Sequence, residues 1–167
     1  GRCRWGCGRV VERAAGVDPV EGGDRQAGRW IVDIGVAPGV DRRPQPDRLR
    51  RQLEPGEKQI AEELELLVRK EGGGVYDRFR DRILFPIFDA QGRVVGFGGR
   101  ILGEGQPKYM NSPESPVFNK SRALLGLFQQ VDAIRRLRQA IIVEGNFDLI
   151  SLVEHGFGNV VAPLGTA

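Results

Sequence analysis

The segment Ile141-Ile142-Val143-Glu144-Gly145-Asn146-Phe147-Asp148 constrains this chain more than any other. An apolar run ends in a glutamate and a glycine, and an aspartate follows four residues after the glutamate. This is how a buried parallel strand delivers acidic groups to the carboxyl edge of an α/β sheet. Open α/β folds bind ligands at that edge. Two carboxylates there suit Mg²⁺, a hard ion that takes oxygen ligands and often shares them with substrate phosphates.

With 167 residues the chain has the length of one domain, or of one and a part. No apolar run is long enough to span a bilayer, and the first residues lack the apolar stretch of a signal peptide. The chain therefore reads as cytoplasmic, with no membrane partner. A formal charge of +3 is compatible with a polyanionic partner without establishing one. The cysteines, Cys3 and Cys7, fall short of the four ligands of a closed zinc site, and the single histidine, His155, is remote in sequence. They read as free thiols, with no zinc site.

Three regions follow. Residues 1–56 are rich in Gly, Arg, Pro and Asp and have little hydrophobic period, so they read as disordered or mis-framed. Residues 57–138 open with Ile60, Leu64 and Leu67 at helical spacing, which predicts a helix over 57–68 ended by Gly72-Gly73-Gly74. Strands are predicted over 82–88 and 93–102, joined by the turn Asp89-Ala90-Gln91-Gly92. A loop over 103–116 precedes a helix over 122–137, with Leu124, Leu127, Phe128, Val131 and Ile134 on its apolar side. In residues 139–167, a strand over 140–143, a helix over 147–154 and a strand over 159–162 make a βαβ unit. The fold class is mixed α/β.

Arg78, Arg80 and Arg82 would share one face of a strand and could grip phosphates, although a solvated strand paired with Asp77 and Asp81 explains them as well. Gly96-Phe97-Gly98-Gly99-Arg100 is neither a P-loop nor a dinucleotide fingerprint. It reads as a strand with a bulge or a close backbone approach, with Arg100 free to face a phosphate. Lys108 and Tyr109 place a cation beside a ring that can stack on a base. Asn119-Lys120-Ser121-Arg122 adds cations, and Ser121 is suited to cap the following helix. His155 suits the C-terminal end of a helix dipole.

In order, Tyr76-Asp77-Arg78-Phe79-Arg80, Phe85-Pro86-Ile87, Gly96-Phe97-Gly98-Gly99-Arg100, Pro107-Lys108-Tyr109, Asn111-Ser112-Pro113-Glu114, Phe118, Lys120, Leu125-Gly126-Leu127, Val143-Glu144-Gly145, Asp148 and Leu164-Gly165-Thr166 resemble the bacterial DnaG-type DNA primases. The resemblance covers the chain from about Val75 onward, and little of it is visible before Glu57. It implies a basic α/β subdomain followed by the first βαβ unit of a TOPRIM fold. The implied parent is a nucleotidyltransferase that makes short RNA primers on single-stranded DNA from ribonucleoside triphosphates. It implies Mg²⁺ or Mn²⁺ at Glu144 and Asp148, with Glu144 also assisting acid–base chemistry. Arg78, Arg80, Arg82, Arg100, Lys108, Tyr109, Asn111 and Lys120 would contact template or nucleotide.

The family also carries a zinc ribbon, an Asp-x-Asp metal motif and a C-terminal domain for the replicative helicase. None of these is seen between Gly1 and Ala167, so this stretch alone is expected to be inactive or nearly so. Asn146-Phe147 replaces the Tyr-Met common in the family. The alternatives are a non-catalytic single-stranded nucleic-acid-binding remnant, or another TOPRIM enzyme such as a topoisomerase or nuclease. The Lys108–Glu114 loop argues against the last, because it belongs to the primase-specific subdomain.

Overall fold

A computed structural model of the chain describes residues 32–33 and 48–164. Its centre is a hairpin of β4 (Arg82–Phe88) and β5 (Val94–Ile101), paired antiparallel from Arg82↔Ile101 to Phe88↔Val94 with a register slip after Ile87. The turn between them is built by Asp89, whose carboxylate accepts the N–H groups of Gln91 and Arg93, both at 2.9 Å. Gly92 closes the turn at φ +82°, a conformation that disfavours any side chain, and the Phe128 ring covers the space a Cβ would need. β1 (Val32–Asp33) pairs with β4, and β6 (Tyr109–Asn111) with β5, giving an antiparallel sheet of order β1-β4-β5-β6.

Side chains alternate across a strand, and here both faces are covered. Leu84 and Phe97 pack with Leu53, Ala61, Leu64, Leu66, Leu67 and Phe79. These come from α1 (Arg48–Gln52), α2 (Pro55–Glu63), the hairpin β2 (Leu67–Arg69) and β3 (Val75–Asp77), and their connections. Phe85 and Ile87, on the opposite face, join Phe118, Leu125, Leu149, Val160, Ala162 and Leu164. This double burial is why β4 reads as an almost unbroken apolar run.

The glycines of β5 fit the same geometry. A Cβ on Gly96 would lie 3.3 Å from Phe118, and one on Gly99 2.9 Å from Phe79. Of the two expectations for Gly96–Arg100, the close approach is present, while the register slip lies just before the segment, between Val94 and Gly96.

The helix expected over 57–68 is shorter. It starts at Pro55, behind Glu54, whose N–H donates to the Glu57 carboxylate at 3.0 Å. It ends at Glu63, and Glu65 turns the chain at φ +50° so that Leu66 enters the core and Leu67 follows it as the first residue of β2. Burial of two adjacent leucines overrides the helical period there. Gly72-Gly73-Gly74 consequently lies in the β2–β3 turn rather than at a helix end. Folded structure also extends into the segment expected to be disordered. Leu53 is 4% exposed in the core, and the backbone N–H groups of Leu49 and Arg50 donate to the Asp77 carboxylate at 2.7 and 3.1 Å. Cys3 and Cys7 lie outside the described residues.

The remaining elements are β7 (Leu124–Leu125), α3 (Leu127–Leu137), β8 (Ile141–Ile142), α4 (Asn146–Glu154) and β9 (Val160–Pro163). β8 and β9 are parallel across α4, as the βαβ reading requires, and β7 joins the far side of β9 antiparallel. The helix expected over 122–137 therefore begins five residues late, with Gly126 at its N-cap at φ +87°. Ser121 lies in a separate 3₁₀ turn, Lys120–Arg122, and does not cap α3. Leu124 leaves the expected helical face because Leu125 is buried against Ala162 by strand pairing, and Leu127 is 42% exposed.

Asp77 supplies acceptors to two N–H groups at the start of α1, which helix geometry leaves without partners. Replacing it by alanine, Asp77→Ala, should lower the unfolding free energy by about 1–3 kcal/mol in urea titration, with Asp77→Asn losing less.

Candidate functional site

β8 runs out at Ile142, and the Val143 N–H still donates to the Val161 carbonyl at 3.0 Å. Glu144 then emerges exposed at the carboxyl end of the strand, and Gly145 forms the N-cap of α4. Asp148, in the first helical turn, is also exposed. Its carboxylate leans back over Gly145, since a Cβ at that glycine would lie 2.5 Å from Asp148 Oδ2. The Glu-Gly-x-x-Asp spacing thus has a steric reason, and the negative charge is favourable at a helix N-terminus. Among the described residues, no group of three or more His, Cys, Asp and Glu side chains comes together.

Phe147 lies between these acids and the antiparallel sheet. Its ring meets Phe85 edge-to-face, with centroids 5.5 Å apart. The Arg100 guanidinium lies 4.5 Å from the Phe147 centroid and 5.4 Å from that of Tyr109. Arg100 and Tyr109 are cross-strand partners in the β5–β6 register. Gly98 leaves room beside them, since a Cβ there would be 3.2 Å from Asn111 Oδ1 and 3.3 Å from Asn146 Nδ2. Asn111 Nδ2 donates to the Leu164 carbonyl at 2.7 Å, tying β6 to the end of β9. Arg100, Tyr109 and Asn111 are thus brought to the start of α4, beside the acidic loop.

The other expected cations part company. Arg78, Arg80 and Arg82 do not share a strand face, because β3 ends at Asp77 and Asp81 breaks the extended run at φ +54°. Arg78 is bound to Glu65 at 2.7 Å. Arg80 is exposed, with its guanidinium 4.4 Å from the Tyr76 centroid. Arg82 is 6% exposed and donates to the carbonyls of Pro107 and Lys108 at 2.8 and 3.3 Å. Burial pushes its pKa below the ordinary value for arginine. Its role is to hold the loop that presents Lys108, and a phosphate-facing Arg82 does not agree with this placement.

Lys108 and Lys120 are exposed, the latter with its backbone N–H on Glu114 at 2.8 Å. His155 Nδ1 lies 2.7 Å from the Ser151 carbonyl at the end of α4, the helix-terminal role expected for it. Phe147 and Asn146 were not legible as site residues. The one available signal was an aromatic side chain set between two acids.

Residues 33–131 match the family model described as the DNA primase catalytic core, N-terminal domain, and residues 138–167 match a Toprim domain. The chain belongs to the DNA primase catalytic core family. The match starts well before Glu57, so family character reaches further back than the motifs alone indicated.

A DNA primase of Pseudomonas putida is 52% identical over 102 residues, 61% of this chain and 16% of the relative. The chain therefore spans about a sixth of the length of the curated relative. The Escherichia coli primase catalytic core superposes with a TM-score of 0.69 at 40% identity, covering 74% of this chain and 40% of that one. A DnaG primase catalytic domain bound to single-stranded DNA gives 0.68 at 40% identity, with 74% and 41% covered. The mixed α/β core with the start of a Toprim fold is thus the architecture of this family.

Replacing Arg82 by alanine should strand the two loop carbonyls and cost about 2–3 kcal/mol of stability in urea titration.

Proposed function

We propose that this chain is part of a DNA primase, a nucleotidyltransferase that makes short RNA primers on single-stranded DNA from ribonucleoside triphosphates. The observation that carries this reading is the convergence of Arg100 and Tyr109 on the acidic start of α4, within a chain that matches the primase core and then a Toprim domain. The relative whose catalytic domain is bound to single-stranded DNA supports the same template for this chain.

Arg80, Arg100, Lys108 and Lys120 would hold phosphates, and Tyr109, 54% exposed, would stack on a base or sugar. Arg78 would contribute only by leaving Glu65. Asn111 would act by fixing β6 against β9. Glu144 would accept or return a proton at the primer 3′-hydroxyl, and Asp148 would support the site. The exposed Glu144 and Asp148 carboxylates fit Mg²⁺ or Mn²⁺, which takes one or two carboxylates and completes its shell with water and substrate phosphates. Such an ion, when bound, supplies activation of the 3′-hydroxyl and stabilisation of the leaving pyrophosphate. A replicative helicase partner and a cytoplasmic location follow from the primase reading. Among the described residues, no helix is long and apolar enough to cross a membrane.

The test is fluorescence anisotropy of the full chain with a labelled single-stranded oligonucleotide across a salt series. Four phosphate contacts should give a log–log slope of about −3, at about −0.7 per contact. Arg80→Ala and Lys108→Ala should each remove about 0.7 of that slope. Binding indifferent to salt would contradict the cationic groove. In the primase that carries this segment, Glu144→Gln should abolish primer synthesis while leaving template affinity intact. Normal synthesis by that variant would remove Glu144 from the chemistry.

A further inference from the structure

We propose that Phe147 is a positioning residue that holds the Arg100 guanidinium ready for a phosphate of the substrate, beside the Glu144–Asp148 loop. The proposal rests on the phosphate-binding reading of Arg100 given above. Phe147 stands in the first turn of α4, directly before Asp148. An aromatic ring there has no need to serve the βαβ unit alone. It is anchored instead on Phe85 of β4, a side chain 1% exposed, in edge-to-face contact at 5.5 Å.

The anchored ring then receives Arg100 of β5, 4.5 Å from its centroid, while Tyr109 takes the same guanidinium at 5.4 Å. Two rings from different parts of the fold therefore share one cation. Phe147 arrives with the acidic loop, and Tyr109 with the antiparallel sheet.

Three other arginines are already engaged. Arg78 is bound to Glu65, Arg82 to two carbonyls, and Arg93 to Asp89 at 2.7 Å. Among the described residues, the Arg100 guanidinium has no carboxylate or carbonyl partner. A guanidinium held by ring contacts keeps its in-plane N–H donors available for a planar pair of phosphate oxygens. Holding it in place beforehand also reduces the conformational entropy lost on binding. Because the ring that fixes it belongs to α4, the phosphate is registered against Glu144 and Asp148 rather than against the sheet alone.

The experiment uses the full chain with two probes, a labelled single-stranded oligonucleotide and a ribonucleoside triphosphate, which separate template phosphate from nucleotide phosphate. Loss of the ring in Phe147→Leu should weaken one or both by about threefold to tenfold, the scale of a partly desolvated cation–π contact. Phe147→Tyr should restore affinity. In an Arg100→Ala background, Phe147→Leu should have no further effect. The Arg100 side-chain NMR resonances should carry a ring-current shift in the wild type and in Phe147→Tyr that Phe147→Leu lacks. Thermal unfolding monitors the packing on Phe85, and Phe147→Met replaces the leucine variant if that one unfolds.

Undiminished affinity in Phe147→Leu, or the same loss with and without Arg100, overturns the positioning role while leaving phosphate binding by the chain intact. Failure of the wild-type chain to bind either probe overturns the phosphate-binding reading itself, and this proposal falls with it.

Discussion

Ile83, Phe85 and Ile87 leave β4 on one side and Leu84 and Phe88 on the other, and both sides are covered by other parts of the chain. Every other placement depends on this strand being a middle layer. The two helices and the β2–β3 hairpin close one face, and the unit that carries the acidic loop closes the other. Burying a large apolar side chain contributes about 1.5–3 kcal/mol. Phe85 and Ile87, at 1% and 0% exposed, therefore fix the second unit against the sheet. Phe85 does this and also supports Phe147, so core packing and site geometry share one side chain.

Where one physical signal dominated, the sequence was readable. The β4 strand falls at the expected residues because an apolar run bounded by turn residues has few alternatives. The βαβ unit was also legible, since a strand period, a helix and a second strand follow within a short span. The structure departs from the local pattern where tertiary burial competes with the period of the sequence. Ile60, Leu64 and Leu67 satisfy a helical face, whereas adjacent Leu66 and Leu67 satisfy a buried strand entrance, and the choice between them depends on a sheet that no local window contains. Leu125 shows the same effect, because its strand partner, Ala162, lies far along the chain.

The arginines teach a related lesson about sites. Arginine type and spacing marked Arg78, Arg80 and Arg82 equally, yet each meets a different environment. A salt bridge takes the first, a tyrosine ring the second, and two loop carbonyls the third. Whether a cation faces a ligand is decided by what the fold offers it first. Glu144 and Asp148 were easier to place, since their exposure follows directly from the end of β8 and the start of α4.

The antiparallel pairing of β7 with β9 has a consequence for synthesis on the ribosome. Leu124 must wait for Pro163 before its strand can form. The first face of the central sheet can be covered by residues already made, whereas Phe85 and Ile87 stay bare until Leu149, Val160 and Ala162 emerge. A nascent chain of this sequence therefore passes through a stage with one finished face and one adhesive face. At that stage, demand for chaperones and the tendency to self-associate are greatest.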